Sequence, residues 1–457
     1  MALNRGWGAG SALLLAGCLA LTSCTGGGAS GAGTTSEAPQ PASTDNRVLS
    51  TFESERLAGL QKMLDAWAQA QRDGDLEALN RVFHHRANSA FIADEQRRTE
   101  HIAAVPVAEW RYEVTSAPEI FVPGDVADQV GAANIWAPRV RLVYRLEGER
   151  TPVRREFRLL AAAPAAAGGA WSLVDNGTLV AEVPEWRLPW DFGPVRTDTV
   201  PWRGANSLVL GHPGDSDIIA ATVGHLPGAL DAADDFWKQQ WDSTVVVYIA
   251  GSHEEFSALT GGFYDHSPAA AIAIADVRRN EPADSISGAA GHTVSGQRIV
   301  VSAPAFRQLD AKAQLSVLRH ELTHVITRAV TDPATPLWLV EGTAEYVGRK
   351  PMETQLEDGA PLTRALVQSQ GPPDRLPRDD HFRAGGQTTS LAYELAWTFA
   401  VFLAEKFGKA AIPEIFAELA APGSGQGVVD ERMRQATGET LAELVGEWGQ
   451  WLVERMP

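Results

Sequence analysis

The stretch LSVLRHELTHVITRAV, residues 315–330, decides the reading of this chain. Leu315, Leu318, Leu322, Val325 and Ile326 recur at helical spacing, and Asp310 stands where an N-cap would open the helix. The pattern predicts one long helix over about 311–329. On it His320 and His324 are four residues apart, one turn along the same face, so both imidazoles can reach a single ion. Neutral histidine nitrogens suit Zn²⁺, which binds them at about 2.0–2.1 Å. Glu321 lies beside that face, placed to take a proton from a water that the ion acidifies. Alone, His-Glu-x-x-His is a short pattern that two amphipathic-helix histidines can produce by chance. The next segment, PLWLVEGTAEYV at 336–347, follows a Thr-Asp-Pro-Ala-Thr-Pro loop. It supplies a carboxylate to complete a His₂Glu set with one open position.

HELTH followed by WLVEGTAEY resembles the gluzincin zinc metallopeptidases, the peptidase MA-like group related to thermolysin and the zinc aminopeptidases. The resemblance covers about 205–457, most specifically 317–408. It implies a small sheet, an active-site helix and a helical C-terminal part, with one Zn²⁺ per chain. It also implies His320, His324 and Glu341, the glutamate before the glycine, as ligands, and Glu321 as general base. Glu345, one turn further on, matches the family's acidic position that holds a ligand histidine by its other ring nitrogen. Sixteen residues separate His324 from Glu341, slightly fewer than in the aminopeptidase branch, so an exchange of roles between Glu341 and Glu345 stays open.

Residues 390–408 read as an apolar helix closed by Gly408. It looks like the downstream family helix whose tyrosine donates a hydrogen bond to the developing oxyanion, and Tyr393 takes that place. A tyrosine packed in the core is the plainer alternative. His381 and Arg383, just upstream, read as surface loop. The family binds extended peptide along a sheet edge, for which 297–302 or 269–274 are the candidates by analogy. The family's aminopeptidase branch recognises a free N-terminus with a G-x-M-E-N type motif before the histidine helix; this chain has none, so the resemblance does not extend to exopeptidase specificity.

The chain has 457 residues and a formal charge of −18, an acidic balance that argues against nucleic acid as partner. With 44% hydrophobic residues and 14 Trp it can bury real cores, which excludes wholesale disorder. Both cysteines, Cys18 and Cys24, precede the body, so it holds neither a disulfide framework nor a cysteine metal site. From Ser11 to Leu21 runs an apolar stretch too short for a bilayer, which needs about 20 residues, but suited to a signal-peptide core. It ends in Leu21-Thr22-Ser23-Cys24, which resembles a bacterial lipobox. That resemblance implies a signal peptide over 1–23 and lipidation of Cys24. The alternatives are Cys18, after Leu15-Ala16-Gly17, or an ordinary secretory signal. Residues 24–46, rich in Gly, Ser, Thr and Pro, read as a flexible tether. The expected location is the extracytoplasmic face of the cell membrane, held by lipid.

Residues 47–185 read as an α+β domain: two helices broken at Asp73-Gly74-Asp75, then alternating strands at 110–114, 140–146, 153–160 and 171–174. Asn176-Gly177 predicts a hairpin to a strand at 179–183. The order of elements resembles the cone-shaped nuclear transport factor-like (SnoaL-like) fold. His84, His85 and His101 read as solvated surface, and 186–204, rich in Pro and Trp, as a linker. The chain as a whole is therefore expected to be α+β, and to be a membrane-anchored zinc metallopeptidase acting on peptide or protein in the cell envelope. The alternative is a non-catalytic lipoprotein that binds through its N-terminal domain and keeps a relic peptidase fold.

Overall fold

Local signals start and stop the helices of the N-terminal body. Ser50 and Glu53 form a reciprocal capping box that opens helix Thr51–Asp73. Gly74, at φ 65°, closes it in the left-handed region that glycine reaches without strain. Asp75 then caps helix Leu76–Val82 by accepting from the N–H of Ala78. The computed structural model describes residues 20–22, 50–115, 120–164, 169–180, 187–261, 269–279, 292–350, 355–421 and 428–456. Cys18, Cys24, the 24–46 tether and all of the leader except Ala20–Thr22 lie outside them. Among the described residues no helix is long and apolar enough to cross a membrane.

The chain divides into two units, one comprising Thr22–Glu147 and Thr151–Trp186, the other Met1–Leu21, Gly148–Arg150 and Arg187–Pro457. In the first, antiparallel strands Val107–Val114, Arg139–Leu146 and Val153–Arg158 form one sheet. Strands Asn134–Trp136, Leu160–Ala163 and Ser172–Asp175 form another. The run expected as one strand at 153–160 thus divides between two sheets on either side of buried Leu159. The hairpin expected at Asn176-Gly177 is not the pairing of Ser172–Asp175, whose antiparallel partner is Leu160–Ala163. Asp175 instead accepts from Thr178 Oγ1 and Leu179 N, which turns residues 178–180 out of the extended path. Residues 181–186 lie outside the described part.

This unit buries a closed polar network. Trp67 Nε1 and Gln71 Nε2 donate to Glu95, while Trp110 Nε1 and Tyr112 Oη donate to Gln71 Oε1. Every one of these contacts is a satisfied hydrogen bond, so the network specifies its core without leaving a group to recruit a ligand. His84 and His85 lie in the turn after helix Leu76–Val82, with ring centroids 4.2 Å apart.

The second unit is built on a mixed sheet whose strand order is Ala20–Thr22, Ala271–Arg279, His292–Ser302, Val246–Ala250, Ala205–Gly211 and Arg196–Trp202. The middle strands run parallel, with Val247 opposite Ile299 and Val246 opposite Leu208. Their runs are apolar without alternation, and Ser207–Gly211 and Val246–Ala250 are buried at every position, as in strands covered on both faces. Helix Ser216–Phe236 makes the crossover between the first two parallel strands. Of the stretch read as a linker, 186–204, the residues from Arg187 fall in this unit, and Arg196–Trp202 pairs antiparallel with Ala205–Gly211. Trp202 joins this unit's apolar core, and Trp190 is buried.

Helix Ala311–Thr327 begins where expected, with Asp310 accepting from the N–H of Ala313, and tightens into a short 3₁₀ turn at Arg328–Val330. It buries Val317, Leu318, Leu322, Val325 and Ile326 in the main apolar core. Buried threonines cost little here, because Thr323, Thr327 and Thr331 each return their hydroxyl to the carbonyl one turn back. Helix Leu337–Gly348 follows, its first N–H capped from a distance by Asp379, and helix Gly386–Phe407 packs behind it.

Candidate metal centre

Two glycines set how closely these three helices meet. A Cβ on Gly342 would stand 2.6 Å from the carbonyl oxygen of Ala396 on helix Gly386–Phe407. A Cβ on Gly348 would stand 3.1 Å from both His320 Cβ and the Ser316 carbonyl on helix Ala311–Thr327. With both side chains absent, helix Leu337–Gly348 is pressed between its neighbours and all its residues are buried. That approach is what carries Glu341 to the histidines.

The resulting geometry is compact. His320 Nε2 and His324 Nε2 are 3.1 Å apart, and Glu341 Oε2 lies 3.4 Å from the first and 3.5 Å from the second. All three residues are buried, and they form the one group of metal-ligating side chains found together among the described residues. A tetrahedral ion with bonds of about 2.0–2.1 Å sets its ligand atoms about 3.3 Å apart, close to what these donors show. Neither oxygen of Glu341 has a hydrogen-bond partner among the described residues. A buried carboxylate without donors is expensive unless a cation serves it, so the residues present fit a zinc-type ion.

Glu345 lies on the other side of the same ring: its Oε1 is 3.2 Å from His320 Nδ1. The two glutamates thus stand at opposite nitrogens of His320, Glu341 at Nε2 and Glu345 at Nδ1. Arg349 donates to Glu345 from one turn on and to the carbonyl of Gly359, with its guanidinium over the Trp397 ring. Burial disfavours the charge on Glu345, but Arg349 and His320 outweigh it and hold the carboxyl at about 2. For His320 burial again opposes charge, and Glu341, Glu345 and Glu321 overcome it, raising the imidazole to about 10. Burial lowers His324, while its neighbours His324 and His320 pull Glu341 down against the cost of burial. Three carboxylates and two imidazoles in one dry space form a centre built around positive charge.

Glu321 sits beside His320 on the helix, and its Oε2 accepts from the backbone N–H of Ala273 at 2.7 Å. Burial pushes it up, with His320 and Arg328 pulling down, to about 7. A carboxylate in that range can accept and release a proton near neutrality.

Tyr393 is buried on helix Gly386–Phe407, one turn before the Ala396 contact, with its ring edge-to-face against Phe382. Of the residues upstream, it is Phe382 that packs inward, while Arg383 is exposed and His381 half-buried beside Asp380. Neither candidate sheet edge is free: Gln297–Ser302 lies between Ala271–Arg279 and Val246–Ala250, and Ala271–Arg279 lies between His292–Ser302 and the three-residue strand Ala20–Thr22. Residues that the sequence reading passed over include Arg328, Arg349, Gly348 and Asp379. Arg328 had a usable signal, being four residues beyond His324 on the same helix face.

No family model and no curated protein matches this chain. Among solved structures, it is similar to an M1 zinc metallopeptidase from Deinococcus radiodurans at 15% identity and a TM-score of 0.36, covering 70% of this chain and 62% of that one. A mutant of that enzyme bound to Tyr-Ser-Ala substrate matches at 14% identity and a TM-score of 0.34, with 70% and 61% covered. A two-domain M1 zinc metallopeptidase mutant bound to L-arginine matches at 16% and 0.34, with 71% and 63% covered. The chain spans less than two thirds of the length of these structures.

Proposed function

We propose that the second unit is a zinc-dependent hydrolase of peptide bonds, acting on peptide or protein in the cell envelope. The observation that carries this reading is the meeting of one donor atom each from His320, His324 and Glu341 within 3.5 Å of one another, beside the buried carboxylate of Glu321. When bound there, zinc supplies a water acidified to a pKa of about 7 and a Lewis acid for the substrate carbonyl. His320, His324 and Glu341 hold the ion, and Glu345 orients His320 through Nδ1. Glu321 takes the proton of the attacking water and returns it to the departing amine. The Tyr393 hydroxyl donates to the carbonyl oxygen as negative charge gathers on it. In the same reading Cys24 carries the lipid that tethers the body outside the membrane.

The test compares the full chain with Glu321→Gln, measuring zinc per chain and cleavage of a peptide library. One zinc in each protein with cleavage only in the unaltered chain is the expected result. Equal cleavage in both removes Glu321 from its role, and a zinc-free purified protein removes the metal reading altogether.

A further inference from the structure

Arg328 is buried at 1% exposure, one helical turn beyond His324, and no role in binding metal or moving a proton calls for it. A buried guanidinium is costly unless its surroundings answer the charge. Its Nη2 donates to the carbonyl oxygen of Ala273 at 2.9 Å. The N–H of that same residue is the donor to Glu321 Oε2 at 2.7 Å. Ala273 belongs to strand Ala271–Arg279, opposite Ile299. Peptide groups of alternate residues on an antiparallel strand face opposite sides. Ser302 N donates to Ala270 O, so Ala270 and Ile272 turn toward the inner strand and Ala273 turns away from it. Both polar atoms of Ala273 are thus taken by side chains of the histidine helix, seven residues apart on that helix. Among the described residues this N–H is the hydrogen-bond partner of Glu321 that the structure shows.

We infer that Arg328 is a positioning residue: by gripping the Ala273 carbonyl it aims the Ala273 N–H at Glu321, pinning one carboxylate oxygen and leaving the other to handle the proton. The inference rests on the reading of Glu321 as general base, and deepens it. A terminal carboxylate torsion is soft and roughly two-fold, so a single hydrogen bond from a fixed strand decides where the second oxygen points. The strand in turn is fixed at that residue by a charged donor, whose bond to a neutral carbonyl is stronger than one between neutral groups. Lysine at the same place reaches the carbonyl with a point charge; methionine fills the volume and donates nothing.

The experiment uses the full chain with Arg328→Met and Arg328→Lys, each loaded with zinc. Hydrogen exchange is followed on the fragment containing Ala271–Arg279, with Val246–Ala250 as internal reference. In Arg328→Met, exchange in the Ala273 fragment is expected to quicken ~10-fold while the reference strand is unchanged. On a cleaved peptide kcat falls ~100-fold with KM and zinc content held, the mark of a misplaced catalytic group. Arg328→Lys recovers a large part of both. Unchanged exchange in zinc-loaded Arg328→Met overturns the inference, and so does equal loss of kcat and zinc in both variants, which marks a merely structural arginine. Should Arg328→Met not fold, Arg328→Lys decides: exchange and kcat between those of the unaltered chain and full loss support the grip, and values equal to the unaltered chain overturn it. If the unaltered chain cleaves no peptide, the peptidase reading fails, and the exchange arm still decides whether Arg328 holds Ala273 against Glu321.

Discussion

Glu345 Oε1 lies 3.2 Å from Nδ1 of His320, with both side chains fully buried and Arg349 bound to the far side of the carboxylate. The line Arg349–Glu345–His320 runs from one end of helix Leu337–Gly348 into the centre of the site. It fixes the ring so that Nε2 faces His324 and Glu341.

Glu345→Gln keeps the shape and removes the charge that answers Nδ1–H. Zinc affinity is expected to fall about 10- to 100-fold, read by competition against a chromogenic chelator. Unaltered affinity would show that His320 is oriented by packing alone.

Gly342→Ala places a methyl 2.6 Å from the Ala396 carbonyl, a backbone atom with little freedom to give. Such overpacking costs about 1–3 kcal/mol. Glu341 moves with its helix, so zinc retention falls as well as the melting temperature. Gly446, in helix Leu441–Arg455, has nothing within 4 Å of its Cβ position. Gly446→Ala is expected to stabilise by about 0.5–1 kcal/mol, the opposite sign for the same substitution. Denaturant titration of both separates crowding from helix propensity.

Removing the metal leaves the buried Glu341 carboxylate with only the His320 and His324 imidazoles to answer it. An ion bound only by the native state at 100 times its Kd adds about 2.7 kcal/mol. Chelation is therefore expected to lower the melting of the second unit by several degrees, and added zinc to restore it in a concentration-dependent manner. A melting curve indifferent to chelator and zinc would contradict the site.

His212 offers a pH signature away from the candidate metal centre. It follows strand Ala205–Gly211, with Nε2 2.9 Å from Glu255 and Nδ1 2.9 Å from the Pro194 carbonyl. The bond to Glu255 raises its pKa against the cost of burial, and Asp215, itself paired with Arg307, adds to the rise. The folded state therefore holds the proton more tightly than the unfolded chain, whose histidine titrates near 6.5. The stabilisation is complete below that value and disappears as pH climbs through the raised folded pKa. His212→Asn should lower the melting temperature by roughly 2–4 °C at pH 5.5 and by less at pH 9. A gap that widens with pH would reverse the assignment.

Much of the site was legible in the residues because it is local. Asp310 as cap, the apolar spacing of 315–326 and the two histidines one turn apart all follow from 3.6 residues per turn, and helix Ala311–Thr327 forms as the spacing predicts. The strands at 110–114, 140–146 and 171–174 were legible as strands, but the one expected at 179–183 opens as a turn, Asn134–Trp136 was not anticipated, and the sheets were not legible. Leu160–Ala163 changes sheet after buried Leu159, which no period-2 pattern announces. The 186–204 stretch looked like a linker because proline and tryptophan mark junctions, yet Arg196–Trp202 finds a hairpin partner in Ala205–Gly211.

The amino-acid order by itself determined that His320, Glu321 and His324 share a helix, and that Glu341 and Glu345 sit one turn apart on the next. Those relations depend only on backbone dihedrals repeated within one element. Tertiary structure alone decided which nitrogen of His320 each glutamate meets, that Gly342 and Gly348 let three helices close on one point, and that Ala273 is held between Glu321 and Arg328. Such contacts join residues tens of positions apart, and they arise from how whole faces pack rather than from any spacing along the chain.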